Sequence, residues 1–273
     1  MLEKNVEFSI DKLTVLGEFI SNRLISDFIM MLEDVPFCFR KYIDTSFYSR
    51  SYLINDLGFL QFDTATGKFR IEFNPNKLND YTKNLLSIIL SYIKNFHFTR
   101  IDLAIDLYNY EFSDYNVVDL ISRKKAYYYD RVGRLETAYF GSRSSNKYIR
   151  IYNKAAEQKM ESGCDWWRIE LQLRDTYIDT YLDGLKDLLD GLLIFKYVSI
   201  SSLNYKDKAI LEYILKDSSR FNEIPKKNRL KYKKILDNLR LESLSFVNDL
   251  MLSANEYVYS FMNSFCPNFD NRI

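Results

Sequence analysis

With 273 residues, 47% of them hydrophobic and 16% aromatic, the chain can bury one large core or two smaller ones, which excludes a disordered protein. Its net charge of +1 decides nothing about a polyanionic partner, because the local distribution of charge makes an electrostatic footprint. A single histidine, His97, excludes chemistries that need two or more imidazoles, and three scattered cysteines, Cys38, Cys164 and Cys266, with no CxxC, speak for reduced thiols and against a zinc site.

No apolar run approaches the roughly 18 residues of a membrane span. The opening MLEKNVEFSIDKL lacks the basic-then-apolar order of a signal peptide, so a cytoplasmic protein with no membrane association is expected. From about residue 5 to 203, short segments alternate in hydrophobicity: VEFSID, GFLQFD, KFRIEF, TRIDLAIDLY, TAYFG, KYIRIYNK, WWRIELQLR and LIFKYVSI. Their period and their β-branched and aromatic content predict strands. Two stretches of helical period interrupt them. The first is 79–96, with Leu85, Leu86, Ile89, Tyr92 and Ile93 on one stripe; the second is 114–127, DYNVVDLISRKKAY. His97 falls where the first helix gives way to a strand and reads as structural, with no GxSxG serine to serve. After Tyr205 the strand signal stops, and 206–262 has a helical period broken at Pro225. The order predicts an α+β fold: a largely antiparallel sheet with helices packed on one face over residues 1–205, followed by a smaller C-terminal helical region, 206–273.

Three strands share one design, because side chains alternate faces with period two. In TRIDLAIDLY, Ile101, Leu103, Ile105 and Leu107 point one way and Arg100, Asp102, Ala104, Asp106 and Tyr108 the other. In WWRIELQLR, Trp167, Ile169, Leu171 and Leu173 oppose Trp166, Arg168, Glu170, Gln172 and Arg174. In KYIRIYNK, Ile149 and Ile151 oppose Tyr148, Arg150, Tyr152 and Lys154. For any one strand an arginine–carboxylate ladder of about 0.2–1 kcal/mol per pair explains such a face. Three together point to a site. If Asp102, Asp106 and Glu170 converge, each carboxylate pair at roughly 5 Å costs about 3 kcal/mol at an effective dielectric near 20. A cation would offset that, and oxygen-only ligation points to Mg²⁺ or Mn²⁺. Arg150, Lys154, Arg168 and Arg174 suit a phosphodiester, and a tyrosine beside it can act as a nucleophile that forms a covalent phosphotyrosine.

The segment KKNRLKYKK, 226–234, brings Lys226, Lys227, Arg229, Lys231, Lys233 and Lys234 together. Pro225 can start a helix, with Leu230, Ile235 and Leu239 expected to face a core and the basic side chains left for DNA. A solvated helix face is the plain alternative.

The combination FTRIDLAID, TAYFGSRSSNKYIRIYNK and WWRIELQLR, in this order and spacing, resembles the replication initiation factor (Rep_trans) family, which includes the initiators of rolling-circle plasmids and phages and related conjugative relaxases. The resemblance spans about residues 5–203 and is densest over 98–175. It implies that residues 1–205 form a DNA nicking and joining domain, that Tyr152 is the nucleophile, and that Asp102, Asp106 and Glu170 are metal-site candidates for Mg²⁺ or Mn²⁺. Phosphate contacts are expected of Arg100, Arg143, Arg150, Lys154, Arg168 and Arg174. The implied partners are double-strand origin DNA, a host helicase and DNA polymerase, and a second copy in a homodimer. Members often have an Asp where this chain has Leu107, and many have an Asp where it has Asn153. A conjugative relaxase with the same chemistry, a non-catalytic DNA-binding replication regulator and a water-using nuclease stand as alternatives.

Overall fold

The computed structural model describes residues 5–35, 39–41, 47–110, 112–119, 124–160, 164–175, 178, 189, 192–196, 198–216 and 218–265. Cys38 and Cys266 lie outside these; Cys164 is free and exposed. The chain divides into two compact units, one of Ser9–Ala104 with Gln172–Ile178, the other of Met1–Phe8, Ile105–Leu171 and Asp179–Ile273.

In the first unit the strands lie in the order β2 (Phe39–Lys41), β3 (Arg50–Ile54), β4 (Gly58–Phe62), β5 (Lys68–Phe73), β1 (Asn5–Phe19) and β6 (Ile93–Tyr108). The β2–β3, β3–β4, β4–β5 and β1–β5 pairings are antiparallel. Helix α1 (Leu24–Asp34) buries Ile25, Phe28 and Leu32, and the Phe28 ring meets Phe19 and Phe62 edge-on at 5.1 and 5.5 Å. Helix α2 (Asp80–Ser91) starts at a capping box, in which the Asn79 side chain accepts from the Thr82 amide and the Thr82 hydroxyl accepts from the Asn79 amide. It ends five residues before the expected limit. Ile93, expected on the helix stripe, opens β6 instead, because the alternating aromatic and β-branched residues of FHFTRI favour a pleated strand. His97 is therefore an exposed strand residue, its Nδ1 3.3 Å from the Asn95 carbonyl oxygen.

In the second unit the order is β6, β11 (Trp166–Arg174), β10 (Lys147–Asn153), β9 (Leu135–Phe140) and β8 (Lys125–Tyr129). The β9–β10 and β8–β9 pairings are antiparallel, as is a separate pair of β7 (Tyr115–Asp119) and β12 (Leu192–Lys196). The stretch 114–127, expected as a helix, is not one among its described residues. Phe112–Asp114 is a short 3-10 turn, followed by β7 and β8, because NVVD finds a partner in LLIFK and KAYYY finds one in β9. Burial follows the predicted alternation: Ile149, Ile151, Ala138, Phe140, Ile169 and Leu171 are fully buried on one face. The β10 strand stops at Asn153, whose side chain accepts from the Ala156 amide at 2.9 Å and caps the one-turn helix α3 (Lys154–Glu157).

The segment LIFKYVSI also changes character, as β12 gives way to helix α4 (Val198–Ser201). Beyond it, helix α5 (Tyr205–Lys216) and the long helix α6 (Lys226–Phe265) bear out the helical reading of the C-terminal region, with the break at Pro225. These helices share a core with β12, made of Leu193, Phe195, Leu211, Ile214, Tyr232, Leu236 and Leu239. Ser243 ties α6 to β12 by accepting from the Ile194 amide at 2.9 Å and donating to the Leu192 carbonyl. No described helix is long and apolar enough to cross a membrane. The architecture is the α+β fold with a largely antiparallel sheet that the strand pattern predicts.

Candidate functional site

The polar face of β10 and β11 carries the densest chemistry. Tyr152 is 4% exposed, and its hydroxyl donates to Oε1 of Glu170 at 2.8 Å. The other Glu170 oxygen accepts from Arg150 at 3.0 Å. The Arg150 guanidinium also lies over the Tyr152 ring, 4.6 Å from its centre, and the Lys154 ammonium is 5.7 Å from the same centre. Both cations turn to Glu157 of α3: Lys154 donates to it directly, and Arg150 approaches at 3.8 Å. The register that placed Tyr148, Arg150 and Tyr152 on one face holds, while Lys154 begins α3 and reaches back over the ring.

Burial raises the Tyr152 phenol well above the ordinary tyrosine range, and the Glu170 charge, its hydrogen bond and the Glu157 charge push the same way against Arg150. The hydroxyl is therefore protonated at neutral pH, with its proton directed at a carboxylate. Burial alone would raise the Glu157 carboxyl, but Lys154 and Arg150 outweigh it and hold it below the usual range.

The three carboxylates expected to converge are each committed to a cation of the protein. Asp106, 5% exposed, accepts from the Trp166 indole at 2.6 Å and from Arg168 at 2.8 and 2.6 Å. In the other compact unit, Asp102 takes both Arg100 contacts at 2.7 and 2.6 Å, and Arg100 also donates to Gln172 at 2.9 Å. Glu170 is held as above. Among the described residues no group of three or more His, Cys, Asp or Glu side chains is arranged to hold a metal ion. Asp102 belongs to one compact unit, and Asp106 and Glu170 to the other. An arginine beside every acid relieves the repulsion that a bound cation was invoked to offset.

Arg143, in the turn between β9 and β10, donates to the Tyr148 hydroxyl. Arg174 lies in the first unit with its Nε buried and without a hydrogen-bond partner. The basic segment divides into two sets. Arg229 donates to the Ile224 carbonyl at 2.8 Å, and Lys231 donates to Asp207, which also accepts from Tyr232 at 2.8 Å and Asn204 at 2.7 Å. Lys226, Lys227, Lys233 and Lys234 are exposed. Leu230, expected to face the core, is 65% exposed among them, and Tyr232 takes the inward place. The helix begins after Pro225 as expected, Leu239 is buried and Ile235 packs against the core as expected, and of that stripe only Leu230 turns outward.

Two features escaped the sequence reading. Glu157 sits just past the RIYNK stretch, where nothing marks it until Asn153 turns the chain into α3. Tyr127 falls at the end of the expected helix and Tyr128 and Tyr129 just beyond it, and all three are strand residues of β8.

Residues 96–235, just over half of the chain, match the model of the family described as replication initiation factor, and the chain belongs to that family. It is similar to a replication initiation protein of Staphylococcus aureus, 29% identical over 264 residues, which cover 92% of this chain and 81% of that one. A second S. aureus replication initiation protein is 35% identical over 193 residues, covering 68% of this chain and 60% of that one. A solved structure, titled as that of a rolling circle replication initiator protein from Geobacillus stearothermophilus, aligns with a TM-score of 0.47 at 16% identity, over 75% of this chain and 91% of that chain. Membership of a replication initiation family implies binding to a replication origin.

Proposed function

We propose that this protein initiates rolling-circle replication by nicking and rejoining one strand of its double-strand origin through Tyr152. The single observation that carries the reading is the 2.8 Å hydrogen bond from the Tyr152 hydroxyl to Glu170. As the phenol oxygen attacks the scissile phosphorus, its proton passes to Glu170, a general base already in hydrogen-bond reach. The new bond joins phosphorus to Tyr152, and the bond that breaks frees the 3′ oxygen, which takes up a proton. The 5′ end stays on the protein, and the free 3′-OH primes a polymerase. Arg150 and Lys154 supply positive charge where the phosphorane gathers negative charge, exchanging Glu157 for a phosphate oxygen.

A divalent cation, Mg²⁺ or Mn²⁺, is carried over from the family resemblance. The carboxylates as arranged do not fit one, so no step is routed through it. Phosphate contacts by Arg143 and Arg168, duplex contacts by the exposed lysines of α6, and a host helicase, a polymerase and a homodimeric assembly belong to the same proposal.

The test is incubation with supercoiled DNA bearing the cognate origin and Mn²⁺. Open circles with protein attached to the 5′ end are expected. Open circles ending in a free 5′-phosphate would identify a water-using nuclease instead.

A further inference from the structure

Beside the nucleophile, three rings form a continuous path to solvent that the chemistry above does not use. Tyr148 of β10 stacks on Tyr139 of β9, ring centres 6.0 Å apart and planes within 5°. Tyr139 meets Tyr128 of β8 edge-on at 5.7 Å and 87°. Tyr128 is 57% exposed, on the strand that ends the sheet order.

Strand register puts this path on the face of Tyr152. Tyr152 stands opposite Thr137 and Arg150 opposite Tyr139 across β10–β9. Thr137 in turn stands opposite Tyr128 across β9–β8. From nucleophile to exposed ring is two inter-strand spacings, about 10 Å. At about 3.4 Å per stacked nucleotide that is the reach of about three nucleotides. The surroundings are cationic, with Arg143 bonded to the Tyr148 hydroxyl and Arg150 directly across from Tyr139. The other residues of β8 and β9 on this face by alternation are Ala126, Thr137 and the half-buried Leu135, a single large aliphatic side chain and not a patch. Aromatic rings interleaved with guanidinium groups are the pairing that holds single-stranded nucleic acid, since every base has a π-face and every nucleotide a phosphate.

We propose that Tyr128 and Tyr139 form a stacking track for unpaired bases flanking the scissile phosphate, so that the strand is held single-stranded across β8 and β9 while Tyr152 attacks. The inference rests on the reading of Tyr152 as the nucleophile. It adds which side chains hold the bases beside the nick, Tyr139 and the exposed Tyr128.

The full-length protein is titrated into fluorescein-labelled dT12 and, separately, incubated with a single-stranded oligonucleotide spanning its own nick site. Tyr128→Ala is expected to weaken dT12 binding about tenfold, within the range for losing one base stack, at unchanged melting temperature. Tyr128→Trp should bind as well as wild type or better. Covalent adduct formation by Tyr128→Ala should fall at low oligonucleotide and recover at saturation, a KM effect. Abasic substitutions within about three nucleotides of the nick should weaken wild type similarly and Tyr128→Ala no further. Equal dT12 affinities of wild type and Tyr128→Ala would overturn the track. The dT12 comparison needs no cleavage, so a wild type that binds dT12 yet never forms an adduct would sink the nicking reading and leave the track to be decided by dT12 alone.

Discussion

Glu170 binds the hydroxyl of Tyr152 at 2.8 Å through one carboxylate oxygen and the guanidinium of Arg150 at 3.0 Å through the other. The same carboxylate thus orients the phenol proton and the cation that covers the ring. Glu170→Gln keeps the shape and loses the proton acceptor, so nicking should fall by about 10²- to 10⁴-fold while binding of single-stranded DNA is nearly unchanged. Burial and the Glu170 charge both push the phenol up, and removing that charge brings it down. Without the carboxylate to take the proton, attack needs phenolate already formed, so the residual rate of the amide variant should climb with pH where wild type stays flat, and the lowered phenol raises that rate further. A pH–rate profile parallel to wild type would remove Glu170 from the proton's path.

Glu157 occupies the two cations that a phosphate would need, Arg150 and Lys154. Glu157→Gln releases them, and the pairs it breaks are partly exposed, each of the kind worth at most about 1 kcal/mol. Affinity for single-stranded DNA should tighten by about two- to fivefold, most visibly at low salt. Weaker binding in this variant would show that Glu157 positions the cations instead of competing for them.

Asp106 tests the metal reading. Its partner Arg168 is 13% exposed at the side chain, so Asp106→Asn takes the negative charge out of a largely buried pair while keeping one acceptor oxygen, a loss of at most about 3–5 kcal/mol, the figure for removing one member of such a pair outright. The expected result is a lower melting temperature together with reduced nicking that added Mn²⁺ does not restore. Recovery at high Mn²⁺ with unchanged stability would return Asp106 to a metal site.

The four exposed lysines of α6 are the DNA footprint that remains of the six basic residues read from KKNRLKYKK. Changing Lys226, Lys227, Lys233 and Lys234 to Gln should lower the slope of log K against log salt for duplex origin DNA by at most about 3.6, at about 0.9 per phosphate contact. Arg229→Ala and Lys231→Met should instead lower thermal stability, since those side chains bond within the fold. A chain ending near Tyr205 cannot isolate the nicking activity. It would uncover Leu193, Phe195 and Ile200, which pack on α5 and α6.

The strand faces of KYIRIYNK, TRIDLAIDLY and WWRIELQLR were legible because a period of two depends only on the local chain; their inward residues are all buried, and neighbouring side chains also cover Ala104, Asp106, Tyr148 and Tyr152 on the opposite faces. Which acid pairs with which base was not legible, because that depends on which strand lies alongside. Asp102 and Asp106 are four residues apart, about 13 Å along an extended strand. That spacing already disfavours one shared ion, and each acid finds an arginine instead. The stretch 114–127 failed for a related reason: NVVD and KAYYY contain helix-compatible spacings, and only their pairing with β12 and β9 makes them strands. The inward place of Tyr232 instead of Leu230 turns on the buried carboxylate of Asp207, whose nearness to α6 has no mark in KKNRLKYKK.

The most direct test of the central claim is mass spectrometry of the protein–DNA adduct after nicking, nuclease trimming and trypsin. Cleavage after Lys147, Arg150 and Lys154 separates Tyr148 and Tyr152 into the peptides 148–150 and 151–154. The account predicts the nucleotide mass on 151–154, an adduct lost in Tyr152→Phe and retained in Tyr148→Phe. A nucleotide on 148–150, or nicked circles with no modified tyrosine at all, would contradict it.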